Sequence, residues 1–130
     1  MLYLDLKDFS LNNKNNIYDE NNTVKYWSQP DFAYKSRVHV YDASDNEIGY
    51  VQFKILSIQE GITYCDKEDN LIQMNDFELL EQTDKYSFRI KHNDLIIDVV
   101  EKDNRLVIED SKGIDLNRCI LFIVSLLNKE

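Results

Sequence analysis

One proline and three glycines are all the usual chain breakers that this sequence holds in 130 residues. Its turns must therefore be built by Asn and Asp, whose side chains bond the nearby backbone and tolerate left-handed conformations. Asparagine is abundant, at 13 residues. Cysteine is scarce, with only Cys65 and Cys119, which excludes a disulfide framework. Histidine is equally scarce. His39 and His92 with two scattered cysteines do not make the clustered ligand set of a zinc site. No G-x-S-x-G elbow accompanies them, and both histidines read as structural or solvated. Gly49, Gly61 and Gly113 stand alone, so no phosphate-cradling glycine loop exists. Positive charge is outnumbered, 15 Lys and Arg against 24 Asp and Glu, for a net charge of −9. That field repels phosphate and argues against general binding to nucleic acid or anionic membranes, while leaving room for a local basic patch. The N-terminus lacks a basic stretch followed by a long apolar one, so no secretory signal is read there and a cytoplasmic protein is expected.

What is present is alternation. "IYDENNTVKY" (17–26), "VYDASDNEIGY" (40–50), "YCDKEDNLIQ" (64–73) and "VVEKDNRLVI" (99–108) share one form: an apolar or aromatic pair, an acidic residue, a polar tetrad, then apolar alternation. Asp19, Asp42 and Asp66 recur at intervals of 23 and 24, and Glu101 follows after a longer gap. This is the pattern of consecutive β-hairpins. Between the turns one face is apolar: Val38 and Val40 against Arg37, His39 and Tyr41; Gly49, Val51, Phe53 and Ile55 against Tyr50, Gln52 and Lys54; Tyr86, Phe88 and Ile90 against Ser87, Arg89 and Lys91. Strands with one dry and one wet face belong to antiparallel sheets. The loop "DASDNEIGYVQF" begins like a calcium-binding EF-hand with Asp42, Ser44 and Asn46, but Glu47 and Phe53 stand where Gly and Glu are required. The stretch from Asp66 fails likewise at Leu71 and Phe77. Both are read as turns.

Residues 114–128, "IDLNRCILFIVSLLN", break the pattern. Cys119 to Val124 are apolar without interruption, and Leu126 and Leu127 continue them, so a helix here has no polar side and must be buried all round. Asp115 or Ser111 would cap its start. A strand buried on both faces stays open as an alternative, because "CILFIV" is also β-prone. A membrane span fails on length: fifteen residues reach about 22 Å, short of the ~30 Å hydrocarbon core. A sheet of about 10–12 short strands must cover a face or close on itself, and a barrel that wide leaves a lumen its own side chains do not fill. The expected fold is therefore all-β with one helix: a single domain, 1–130, in which an antiparallel β-barrel surrounds a buried C-terminal helix over about 114–128.

The stretches "YDENNTVKYW", "VHVYDASDNEIGYVQFKILS" and "RLVIEDSKGIDLNRCILFIVSLLN" resemble the LURP-one-related family of the tubby C-terminal-like superfamily. The resemblance covers most of the chain and is strongest over 16–58. It implies a closed antiparallel barrel around a central helix. The family's turns carry Asn-Gly, whereas this chain has Asn21-Asn22, Asp45-Asn46 and Asp69-Asn70. It is also short for such a member between about 75 and 95, which would remove a hairpin or open the barrel. The superfamily includes phosphoinositide-binding proteins, so the resemblance implies a non-enzymatic binding module with a membrane phospholipid or a protein as ligand. The residues add one local candidate. If Val38 faces Val51, Lys35 lies opposite Lys54, Arg37 opposite Gln52 and His39 beside Tyr50, and the three cations Lys35, Arg37 and Lys54 on the outer face would hold an anion such as a lipid phosphate. A solvated, neutralised face is the plainer reading of the same residues. A small acidic inhibitor that covers a basic protein is a second functional expectation, from the charge. A cryptic enzyme is a third. No cofactor or metal is expected.

Overall fold

A computed structural model of the chain describes residues 1–34, 37–54, 61–65, 77–109 and 113–127, with side chains described except at 52–54 and 61–65. Ten strands precede one helix: β1 (Leu2–Asp5), β2 (Asn15–Tyr18), β3 (Val24–Pro30), β4 (Arg37–Asp42), β5 (Glu47–Lys54), β6 (Gly61–Cys65), β7 (Phe77–Asp84), β8 (Ser87–His92), β9 (Leu95–Lys102), β10 (Arg105–Ile108) and α1 (Leu116–Leu127). The strands form one antiparallel sheet in the order β6-β5-β4-β3-β2-β1-β10-β9-β8-β7. Nearly every neighbour in this order is also a neighbour in sequence, which is the hairpin chain that the spaced turns imply. The exception is the β1–β10 pair, which joins the first strand to the last, Leu2 with Ile108 and Asp5 with Arg105. Among the described residues no ladder joins β6 to β7, so the sheet is barrel-like and curled without closing. The stretch 77–95 carries the β7–β8 hairpin, whose register shifts between Leu79 and Glu81 and between Gln82 and Asp84.

The turns use Asn and Asp as expected. Asn22, Asp45, Asn93, Asp103 and Asn104 all have positive φ, between 53° and 63°. The first two hairpins repeat one device. Asp19 Oδ1 accepts from the backbone N–H groups of Asn21 and Thr23, and Asp42 Oδ1 accepts from Ser44 and Asn46. The EF-hand-like loop is thus a turn closed by its own carboxylate.

The helix begins two residues later than expected, because the cap lies inside the apolar pattern, and it runs to Leu127, the last described residue. Asp115 is that cap: its Oδ1 accepts from the Arg118 N–H, and its carbonyl accepts the first helical bond, from Cys119. From Cys119 through Ser125 every residue is buried, as is Leu127. They pack in one core with the inward residues of the sheet, among them Leu4, Ile17, Val38, Val40, Val51, Ile90, Ile97, Val99, Leu106 and Ile108. The strand alternative is excluded, and Cys119 is buried in the filling. Ser125 is the polar member of the run and donates its hydroxyl to the Phe122 carbonyl. Tyr26 ties sheet to helix by donating its phenol to Asn117 Oδ1 at 2.6 Å. No helix among the described residues is long and apolar enough to cross a membrane.

Candidate functional site

The outer face of β3, β4 and β5 carries the most highly organised group of polar and aromatic side chains. The register is the one inferred from alternation: Val38 faces Val51, His39 faces Tyr50 and Arg37 faces Gln52. Val38, Val40 and Val51 point into the core, so Arg37, His39 and Tyr41 point outward. A bulge between Val40 and Tyr41 then shifts the pairing, and Tyr41 faces Glu47 instead of Ile48. Bulges re-aim side chains. Without this one, Glu47 would stand opposite Asp42 and on the inner face.

The re-aimed Glu47 reaches His39. Its Oε1 lies 2.5 Å from Nδ1, while Asp31 Oδ2 lies 2.7 Å from Nε2. With a proton on each ring nitrogen the imidazole donates to both carboxylates and links Asp31 to Glu47. Asp31 follows β3 and also closes the next turn, accepting from the backbone N–H groups of Ala33 and Tyr34. The His39 bond first, and these backbone bonds after it, hold its carboxyl down to about 2. One side chain thus fixes both the β3–β4 turn and the edge of β4.

Aromatic rings flank this link. Trp27 and Tyr41 are directly opposed on β3 and β4 and stack at 4.0 Å with planes 15° apart. The indole N–H donates to Asp45 Oδ1 at 2.9 Å, and the Lys14 ammonium sits 4.5 Å from the indole centroid. Burial first, and then the charges of Glu47 and Asp31, push the Tyr41 phenol up, with Gln29 opposing. Arg37 lies over the Tyr50 ring at 4.3 Å and the Tyr34 ring at 5.1 Å. The turn ahead of β4 projects Phe32, fully exposed, and Tyr34, 59% exposed.

Of the three cations expected to hold an anion, Arg37 is on this face, engaged with two tyrosines. Lys35 and the side chain of Lys54 lie outside the described residues. His92 is on the other flank, buried and stacked on Phe77 at 4.2 Å, which in turn stacks on Phe122 of the helix. Among the described residues no group of His, Cys, Asp and Glu is arranged to hold a metal ion. Sequence reasoning placed His39 beside Tyr50 but missed Asp31, Glu47, Trp27 and Lys14 as members of one group. Trp27 and Tyr41 were findable, since alternation on adjacent strands puts both outward. Glu47 was not, because a one-residue bulge leaves no mark on a period-two pattern.

Comparisons with known proteins bear on the fold. No family model and no curated protein matches the chain. The crystal structure of an Arabidopsis thaliana protein, AT5G01750, is similar in fold, with a TM-score of 0.60 and 15% identity over 98% of this chain and 88% of that one. That protein has a LURP-one/tubby-like fold. The likeness is one of fold alone.

Proposed function

We propose that this chain is a LURP-one-related, cytoplasmic, non-enzymatic binding module, and that the outer face of β3–β5 with the turn from Asp31 to Tyr34 takes a protein as its ligand. The observation that carries this is the fixed turn itself. Phe32 and Tyr34 stand fully or mostly in solvent on a backbone pinned by Asp31 to His39 and to its own N–H groups. Rigid aromatic side chains beside an arginine are the make-up of interface anchors, and pre-organisation removes much of the ordering cost of binding. Catalysis gains little support here, because both nitrogens of His39 are engaged by carboxylates and neither is left to serve a nucleophile.

The phospholipid reading draws on Lys35, Arg37 and Lys54. It is weakened by Asp31 and Glu47, which place negative charge next to Arg37's own strand. The two ligands separate experimentally. A photo-reactive phenylalanine analogue at position 34 should give a discrete protein adduct in extracts of the source cells. Phe32→Ser should abolish that adduct, whereas Leu80→Ser, an exposed apolar residue on β7, should leave it. Sedimentation with anionic liposomes that is lost in the Lys35→Ala, Arg37→Ala, Lys54→Ala triple variant would support the lipid instead. An adduct insensitive to Phe32 would overturn the protein reading.

A further inference from the structure

The aromatic faces on this surface are occupied by the chain's own cations. Lys14 lies over Trp27, and Arg37 lies over Tyr50 and Tyr34. Carboxylates lie on the same face: Asp45 on the indole N–H, and Asp31 and Glu47 on His39. The back of the indole rests on Tyr41, so it presents one electron-rich face outward. A π face near carboxylates, in a chain of net charge −9, attracts ammonium and guanidinium groups at long range and holds them at short range. Resting on the protein-binding reading above, we infer that Lys14 occupies a cation-accepting place on Trp27, and that the partner is a basic protein whose Lys or Arg side chain takes that place on binding.

Lys14 lies in the segment before β2 and is exposed, so moving it aside leaves the sheet undisturbed. This yields an outcome that simple charge attraction does not give. Removing a cation from an acidic protein strengthens its attraction for a basic ligand wherever that cation sits. Removing the one that covers the indole also frees the place itself.

The test uses a lysine- and arginine-rich synthetic peptide as probe, with calorimetry as readout and thermal unfolding to confirm that each variant is folded. Lys14→Met should bind about two- to fivefold more tightly than Lys91→Met, a variant of the same charge on distant β8, as expected for one exposed cation–aromatic contact. Trp27→Leu should bind about five- to thirtyfold more weakly than the unaltered chain. Equal affinities for Lys14→Met and Lys91→Met would overturn the inference, as would a folded Trp27→Leu with unchanged affinity. An adduct at position 34 that depends on Phe32, alongside a null result in both peptide arms, would leave the binding module standing and remove the basic partner. Loss of the adduct with the peptide arms positive would do the reverse.

Discussion

His39 joins two carboxylates on the outer face, and one of them, Asp31, carries an acid dependence. Asp31 carries a carboxyl held at about 2, well below its ordinary 3.8, chiefly by the bond to His39. A depressed carboxyl stabilises the fold fully above its unfolded value and loses that contribution as pH falls through its folded one. The window is therefore pH 3.8 to about 2. In denaturant titrations the unaltered protein should lose stability across this window more steeply than Asp31→Asn. Parallel pH profiles would show that the link does not contribute. Tyr26 gives the complementary case at high pH. Burial first, and the charges of Asp42 and Asp115 after it, raise its phenol to about 12. A raised value means stability that is fully present below pH 10 and is lost as pH climbs through about 12. Tyr26→Phe should remove that alkaline slope. It should also cost about 1 kcal/mol at neutral pH for the lost bond to Asn117.

Elements show why the fold was largely legible and the site was not. The period-two stretches placed Val38 opposite Val51 correctly because a buried face specifies register strongly, a slip of one residue exposing every valine. Turns built from Asn and Asp were legible because few other residues adopt positive φ. They remain imperfect: Asp103 and Asn104 both sit at positive φ in the two-residue turn between β9 and β10. Asn104→Gly should stabilise the protein by about 0.5 kcal/mol, since relief of left-handed strain is offset by the greater freedom of glycine in the unfolded chain. A fall in unfolding midpoint would show that the Asn side chain supports the turn. The helix was legible because its run leaves no polar face. Its cap was legible as a choice of two, and Asp115→Ala should cost about 1 kcal/mol. The site eluded reading because it depends on the bulge at Tyr41 and on the path of the β3–β4 turn. Both are decided by packing and backbone geometry, and neither has a residue-type signature in this chain.

At the scale of the molecule, the arrangement solves a problem that its strands create. Ten strands in one curled sheet enclose more space than their own side chains fill, and each brings apolar residues to that space. The helix fills it with Ile120, Leu121, Phe122, Ile123 and Val124, all buried, against residues from β1 to β5 and β7 to β10. β1 and β10 pair at the centre of the sheet order, so the first and last strands join the two halves of the sheet. Folding is then cooperative in a particular sense: neither half of the sheet has a dry inner face without α1. A single truncation within the helix such as Ile123→Ala should cost about 2–5 kcal/mol. Removal of residues 118–127 should leave no folded domain, with no sigmoidal denaturant transition and loss of the near-ultraviolet signal from Trp27 stacked on Tyr41. If the truncated chain stayed soluble, kept that signal and unfolded in one sharp step, the sheet would be able to close upon its own side chains, and the helix would be an addition to the core instead of its axis.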